Sequence, residues 1–241
     1  MKFDISGFTD IGTVRDTNQD RLLMNGNILS SGTLDLAQQD SCFCFVADGV
    51  GGNRAGEFAA EFVLRRIAAI NGSSHLELEL RAINTELVNV AARRNELSGT
   101  ATTLTGLIAR DDDFQIVHVG DSQMWLRRDG AFFKVTTDQV LNEYETNSPL
   151  TSYFGGTDND LKFDTDIFVK DISKGDVFLI CSDGLSKSLD TKTVKAILNE
   201  KLDLSSQAKK LLTECRTRGA VENISAILIQ RTDLADEIES H

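Results

Sequence analysis

The sequence contains little of several residue types, and each shortage excludes a class of protein. One proline and 18 glycines among 241 residues exclude a collagen-like or proline-rich chain, and a 41% share of hydrophobic residues argues against a disordered one. The four cysteines show no C-x-x-C spacing, and three of them lie in apolar stretches. We therefore predict buried, reduced thiols rather than disulfides or metal ligands.

Long hydrophobic runs and excess positive charge are also missing. The longest apolar run covers residues 42–47, far short of the roughly 18 residues that a membrane span needs, and the first residues contain no signal-peptide core. Lys and Arg number 25 against 37 Asp and Glu, which gives a net charge of −12. The missing apolar segments predict a cytoplasmic protein. Because a negatively charged chain repels phosphate backbones and anionic lipids, we also predict that it binds neither nucleic acid nor membranes.

The remaining organisation is that of one globular domain. No linker rich in proline, glycine or serine, no low-complexity tract and no internal repeat divides the chain. We predict a single domain over residues 1–232, followed by an acidic tail over residues 233–241.

Hydrophobic spacing predicts both strands and helices. Short β-branched or aromatic runs predict strands at 42–47, 114–119, 123–127, 131–135, 176–181 and 224–229. Apolar residues at three- and four-residue steps predict helices at 54–70 and 76–91, and later helices are expected at about 191–200 and 205–217. Ser205 would cap the last helix and Gly219 would end it.

Two turns indicate how neighbouring strands are paired. The aspartates at 111–113 interrupt one pair of strand segments, and Asp129-Gly130 separates another pair. Strands joined by such tight turns are antiparallel. Together with the paired helices, this favours an α+β fold over a parallel doubly wound sheet.

Four acidic residues share one local pattern, in which a carboxylate stands between an apolar strand and a turn. They are Asp48, Asp121, Asp183 and Glu222. One such residue is usually only part of a turn, but several at the ends of central strands indicate a site at the rim of the sheet. Because converging carboxylates repel one another, they need cations, and oxygen ligands without His or Cys select Mg²⁺ or Mn²⁺. Asp20 is a further candidate ligand.

The glycine-rich stretch at 48–52 leads directly into the first predicted helix. The N-terminal end of a helix favours anions such as phosphate. The stretch contains neither the GxxxxGK[ST] of a P-loop nor the GxGxxG of a dinucleotide site. Taken alone, it does not identify a ligand.

Six segments, taken in order, resemble one known family. They are GTVRDTNQD (12–20), FVADGVGGNRAGEFAA (45–60), SGTATTLTGLI (98–108), IVHVGDSQMWLRRDG (116–130), GDVFLICSDGL (175–185) and ENISAILIQ (222–230). They are similar to the metal-dependent Ser/Thr protein phosphatases of type 2C, the PPM family, in its bacterial form. The resemblance covers nearly the whole chain. It implies a four-layer α-β-β-α sandwich of two mainly antiparallel sheets flanked by helix pairs.

The resemblance also implies an activity and partners. The expected reaction is hydrolysis of phosphoserine and phosphothreonine on proteins by a water that bridges two Mn²⁺ or Mg²⁺ ions. Such a pair of ions can activate the water and neutralise the charge of the reacting phosphate, so that no protein nucleophile is needed. The expected partners are phosphorylated proteins and a cognate Ser/Thr kinase system.

Residue roles follow from the same resemblance. Asp48 would bridge the two ions, and the carbonyl of Gly49 would bind one of them. Asp183 and Glu222 would complete the ligands of the other ion, and Asp20 would act on the metals directly or through water.

Two further roles lie beside this pair of ions. Asp121, together with Asp183, would hold a third, weaker ion. Arg15 would clamp the substrate phosphate, because a guanidinium is a planar fork that carries a permanent charge.

The chain departs from the family pattern at several positions. Glu222 replaces the usual Asp and lengthens that side chain by one methylene, and Val50 stands where eukaryotic relatives carry a histidine proposed as general acid. The flap expected at 141–154 is short. An alternative reading is therefore a non-catalytic pseudophosphatase that binds a phosphoprotein or another partner.

Overall fold

The computed structural model describes residues 1–50, 55–70, 75–110, 113–145, 148–156, 164–167 and 172–232. Part of the predicted glycine-rich stretch, the aspartates at 111 and 112 and the predicted acidic tail at 233–241 lie outside these residues. No helix in these ranges is long and apolar enough to cross a membrane.

The strands follow one another along the chain in fifteen short segments of the described residues. They are β1 (Lys2–Asp10), β2 (Arg21–Met24), β3 (Asn27–Leu29), β4 (Gly32–Gln39), β5 (Cys42–Ala47), β6 (Gly49–Val50), β7 (Ala101–Thr102), β8 (Leu104–Arg110), β9 (Asp113–Val119), β10 (Gln123–Arg128), β11 (Ala131–Lys134), β12 (Phe154–Gly155), β13 (Asp164–Ile167), β14 (Val177–Cys181) and β15 (Ile224–Thr232).

These strands form two six-stranded sheets and one small sheet. The first sheet has the order β11-β10-β14-β15-β1-β4, the second has the order β13-β9-β8-β5-β2-β3, and the small sheet is β12-β7-β6. The neighbours in all three sheets pair antiparallel. The α+β class predicted from the sequence is confirmed.

Helices cover the outer faces of the two large sheets. The helices α1 (Ala55–Ile70) and α2 (Leu76–Ala91) share an apolar cluster with the second sheet. The helices α3 (Asp183–Ser188), α4 (Thr191–Leu198) and α5 (Leu204–Thr217) share another cluster with the first sheet. A third cluster lies between the sheets and completes the four layers. The predicted four-layer sandwich is confirmed, and among the described residues the short helix α3 lies beside the pair α4 and α5 over the first sheet.

The strand β5 shows why its sequence is an uninterrupted apolar run. Cys42, Cys44 and Val46 point into the cluster between the sheets, whereas Phe45 and Ala47 point into the cluster beneath α1 and α2. Because successive side chains of a strand face opposite sides, burial of both faces requires apolar residues throughout. All four cysteines are buried and free, as predicted.

The predicted turn at Asp129-Gly130 is confirmed, whereas residues 111 and 112 of the other predicted turn lie outside the described residues. Asp129 and Gly130 both have positive φ, 49° and 74°, which is the geometry of the two-residue turn that joins β10 to β11. The strands β8 and β9 pair antiparallel as far as Arg110 and Asp113, on either side of residues 111–112.

The start of α5 differs from the prediction. Asp203, not Ser205, is the N-cap residue, and its carboxylate accepts a hydrogen bond from the backbone N–H of Ser206 at 2.8 Å. The Ser205 hydroxyl instead donates to the carboxylate of Asp35 at 2.9 Å. At the other end, Gly219 follows the helix with φ of 73°, as predicted.

Candidate active site

Six of the seven predicted site residues line one cavity of about 190 Å³ at one end of the sandwich. They are Arg15, Asp20, Asp48, Gly49, Asp183 and Glu222. Asp121, the seventh, lines a neighbouring cleft of about 380 Å³, which also includes Asp183 in its wall. The structure therefore brings the predicted carboxylates to one region, divided between two adjoining spaces.

The segment Asp48-Gly49 leads from β5 into β6 of the small sheet. The backbone N–H of Asp48 donates to the Thr103 hydroxyl at 3.0 Å, and the Asp48 carbonyl accepts from the Thr103 N–H at 2.9 Å. On its other side Gly49 lies against Gly56, and a Cβ added at Gly49 would be 2.4 Å from the Gly56 carbonyl oxygen. Only glycine allows this close approach, which fixes the segment against the first turn of α1.

Asp20 is the most deeply buried of the predicted carboxylates. It is 1% exposed, and its Oδ2 has no hydrogen-bond partner among the described residues. Burial raises the pKa of Asp20 to about 6, an effect that hydrogen bonds from Ser225 and Ser182 partly offset and that the nearby charge of Asp183 reinforces. An unpartnered buried carboxylate oxygen is costly, so this atom is suited to bind a cation.

The electrostatic effect of bringing these carboxylates together is largest at Asp48. Burial and then the charges of Asp20, Asp183 and Asp121 raise the pKa of Asp48 well above its ordinary value. Burial and the charge of Asp183 raise the pKa of Asp121 to about 7. Each of these groups favours a proton or a cation beside it, as expected for carboxylates that share a confined space.

Asp183 lies at a helix start rather than in a simple turn. It is the first residue of α3, and Ser182 before it is the N-cap residue. The following Gly184 lies so close to β15 that a Cβ there would be 1.9 Å from the Asn223 carbonyl oxygen. This contact holds the start of α3 against the segment that carries Glu222.

Two basic side chains of the protein neutralise part of this negative charge. Arg15 contacts Glu222 through two guanidinium nitrogens, and its Nε lies 2.8 Å from Glu222 Oε2. Lys187 Nζ lies 2.6 Å from Asp183 Oδ2. In this arrangement, no three Asp, Glu, His or Cys side chains of the described residues stand in a metal-ligating geometry. The donor set itself, made of carboxylates and one carbonyl, is suited to a hard divalent cation.

Asn223 has a structural role that the sequence reasoning missed. Its Oδ1 accepts from the Gln19 N–H at 2.9 Å, and its Nδ2 donates to the carbonyls of Ile11 and Thr17 at 2.9 and 3.0 Å. These bonds tie the loop that carries Arg15 and Asp20 to the start of β15. The motif ENIS contained the residue, but its partners lie about two hundred positions away, where no local pattern indicates them.

Thr103 is a second residue that the sequence reasoning missed. Besides its bonds to Asp48, its hydroxyl lies 2.8 Å from the Ser122 hydroxyl. Gly120, with φ of 102°, packs against Thr103, and a Cβ on Gly120 would be 2.6 Å from Thr103 Cγ2. Thr103 thereby joins the segments that carry Asp48 and Asp121.

The predicted flap is a short loop closed by pairing at its base. Val140 and Leu150 form an isolated bridge, and the Leu141 N–H donates to the Pro149 carbonyl at 2.9 Å. Glu143, Tyr144 and other residues of this loop line the cleft that contains Asp121. The loop therefore borders the cleft rather than the cavity around Asp48.

Known proteins are similar to this chain both in sequence and in fold. A family model described as protein phosphatase 2C matches residues 17–228. The serine/threonine phosphatase stp of Listeria monocytogenes is 28% identical over 246 residues, covering 92% of this chain and 94% of the relative.

Solved structures are similar over the whole sandwich. The Mycobacterium tuberculosis serine/threonine phosphatase PstP/Ppp superposes with a TM-score of 0.79 at 22% identity, over 97% of this chain and 100% of that one. A PstP catalytic domain in complex with two manganese ions superposes with a TM-score of 0.76 at 22% identity, over 96% and 99% of the two chains. At this identity the likeness shows the shared fold.

Proposed function

The chain belongs to the protein phosphatase 2C family, and we propose that it hydrolyses phosphoserine and phosphothreonine on proteins with the help of two divalent cations. The observation that carries the proposal is the convergence of Asp20, Asp48 and Asp183 at one cavity, with Arg15 at its edge. The name of the Listeria relative supports the substrate class, and the two manganese ions in the PstP structure support the number of ions.

The residues present fit a pair of Mn²⁺ or Mg²⁺ ions. Asp48, the Gly49 carbonyl, Asp20, Asp183 and Glu222 would supply oxygen ligands, and the buried Oδ2 of Asp20 is otherwise without a partner in the described structure. When bound, the ions supply activation of water and neutralisation of the charge on the phosphoryl group. The side chains of the protein bind and orient the substrate phosphate.

Arg15 is suited to bind the substrate phosphate. Its guanidinium is about half exposed and already holds a carboxylate, that of Glu222, in the cavity. A phosphate offers the same planar pair of acceptor oxygens and a greater negative charge, so it can replace the carboxylate as the partner of Arg15. Arg15 would then orient the phosphoryl group over Asp48 and Asp183.

No histidine of the described chain is placed to protonate the leaving group. His118 is fully buried in β9, where its ring nitrogens lie 3.0 Å from the Thr105 hydroxyl and 2.8 Å from the Thr137 carbonyl. His75 precedes α2, and neither histidine lines the catalytic cavity. Val50, which follows Gly49 in the wall of this cavity, has a side chain that cannot donate a proton, and we propose that solvent protonates the serine or threonine oxygen.

The expected partners are phosphoproteins, and a Ser/Thr kinase must supply them. We test the activity by phosphate release from a phosphothreonine peptide, with Mn²⁺ titrated from chelated to millimolar concentrations. Turnover that rises with Mn²⁺, and that is at least about tenfold slower on the matching phosphotyrosine peptide, is the expected result. If the folded protein released no phosphate at any Mn²⁺ concentration, the result would instead favour the non-catalytic pseudophosphatase.

Replacing Glu222 by Asp is expected to strengthen Mn²⁺ binding and so to lower the Mn²⁺ concentration that activity requires. The longer Glu side chain reaches Arg15, with 2.8 Å between Nε and Oε2, and this ion pair competes with a metal ion for the carboxylate. Glu222→Asp shortens the side chain by one methylene and weakens its contact with Arg15. The half-saturating Mn²⁺ concentration should therefore fall by about threefold or more, which corresponds to roughly 0.7 kcal/mol of binding free energy.

The matched control for this change is Glu214→Asp on α5. Glu214 lies near Arg218, at 3.9 Å, and outside the catalytic cavity. The control should leave the Mn²⁺ titration unchanged. An unchanged titration in Glu222→Asp itself would show that the Arg15 contact does not compete with the metal.

A further inference from the structure

Lys187 places a fixed positive charge beside the predicted metal ligands. It lies one helical turn after Asp183 on α3, and the four-residue spacing brings Lys187 Nζ to 2.6 Å from Asp183 Oδ2. The two side chains are 31% and 22% exposed, so the pair is partly removed from solvent. The ammonium group therefore already occupies one side of the Asp183 carboxylate.

The wall of the neighbouring cleft is acidic apart from this lysine. Five acidic residues and one basic residue, Lys187, are among the described residues that line it. Asp121 and Asp138 line it together with Glu143 and Glu145 of the flap loop. Lys134 Nζ lies 2.6 Å from Asp138 Oδ1 and neutralises that carboxylate separately.

The ammonium group of Lys187 belongs to the cleft that holds both carboxylates. Lys187, Asp183 and Asp121 all line this cleft, and Lys187 Nζ lies 2.6 Å from Asp183 Oδ2. Because a lysine side chain is positively charged at neutral pH, its charge acts on Asp121 as well as on Asp183.

We propose that Lys187 serves as a built-in cation between Asp183 and Asp121, in the place where the resemblance implied a third, weaker metal ion. The inference rests on the proposed two-metal function and limits it to two ions. A divalent ion entering between these carboxylates would have to displace the ammonium group or accept its repulsion. Lys187 would then position Asp183 for the catalytic ions without depending on the metal concentration of the cell.

The test is the number of Mn²⁺ ions bound per chain, measured by equilibrium dialysis up to about 1 mM free ion, independently of activity. The wild-type protein and Lys187→Arg, which keeps the charge, should bind two ions. Lys187→Met, which keeps the length of the side chain without the charge, should bind a third ion at least about tenfold more tightly than wild type. Lys195→Met, on the exposed face of α4, removes the same charge elsewhere and should still bind two.

A second substitution locates the additional ion. Asp121→Asn should abolish the third ion in the Lys187→Met background and leave two ions in the wild-type background. Three ions in the wild-type protein, two in folded Lys187→Met, or loss of an ion in Asp121→Asn alone would overturn the role of Lys187 and leave the phosphatase proposal standing. Absence of bound Mn²⁺ from the wild-type protein would overturn both.

Discussion

Asp48→Asn should abolish phosphate release without unfolding the protein. Asp48 stands at the centre of the carboxylate cluster, and its pKa is raised by burial and by three neighbouring carboxylates. Asparagine keeps its shape but removes the charge that would bridge two cations, so turnover should fall by at least about a thousandfold. Phosphate release from the phosphothreonine peptide at saturating Mn²⁺ measures this loss.

Although its turnover should fall, the stability of metal-free Asp48→Asn should be no lower than that of wild type. In the folded protein without metal, the raised pKa means that the charged form of Asp48 is disfavoured, and folding stability falls as the pH rises through that pKa. A neutral Asn avoids this cost, so the Tm in chelator should not fall at pH 7.5. Added Mn²⁺ should raise the Tm of wild type and leave that of Asp48→Asn nearly unchanged.

A surface aspartate provides the matched control for this prediction. Asp40 is 89% exposed and pairs with Lys2 at the surface, where solvent weakens such an interaction. Asp40→Asn makes the same chemical change far from the cavity and should keep wild-type turnover and the Mn²⁺ effect on Tm. Retention of more than about a tenth of wild-type turnover by folded Asp48→Asn would rule out the two-cation role of Asp48.

The elements best predicted from the sequence are those whose burial follows a simple period. The strand β5 was predicted at its observed limits because both of its faces are buried, and α2 was predicted at its limits because its apolar residues recur along one face. The strand β1 was missed, since its buried positions include polar residues such as Ser6 and Thr9. These hydroxyls are paired with Asp35 and Ser225, partners distant in sequence.

The candidate site was predictable to the same extent. Carboxylates at strand ends were expected to converge because neighbouring strands end at a common rim, and Asp20, Asp48 and Asp183 do line one cavity. The pairing of Arg15 with Glu222 could not be predicted, since it joins residues 207 positions apart and depends on the packing of the loop against β15. Local sequence identifies the carboxylate ligands and the nearby Lys187, whereas the cation that pairs with Glu222 comes from a tertiary contact.

Asn223→Ala should damage both stability and catalysis, because Asn223 holds the loop that carries Arg15 and Asp20. The substitution removes one acceptor and two donors, those that bond Gln19, Ile11 and Thr17. The bonds to Gln19 and Thr17 are partly buried, and leaving these backbone groups without partners should cost about 2–4 kcal/mol and lower the Tm by roughly 5–10 °C. A loop displaced by as little as 1 Å should reduce kcat/KM by about a hundredfold.

Asn199→Ala separates this effect from the general loss of an asparagine. Asn199 is exposed at the end of α4, and its Nδ2 donates to the Gly130 carbonyl at 3.5 Å. We expect that variant to stay within about 0.5 kcal/mol of wild type with unchanged kinetics. Asn223→Ala should be assayed well below its Tm. If it kept wild-type kcat/KM, the hydrogen bonds of the Asn223 side chain would contribute only to stability, and other contacts would position Arg15 and Asp20. A loss of kcat/KM that persists at saturating Mn²⁺ would show instead that the hydrogen bonds of Asn223 position Arg15 and Asp20 for catalysis.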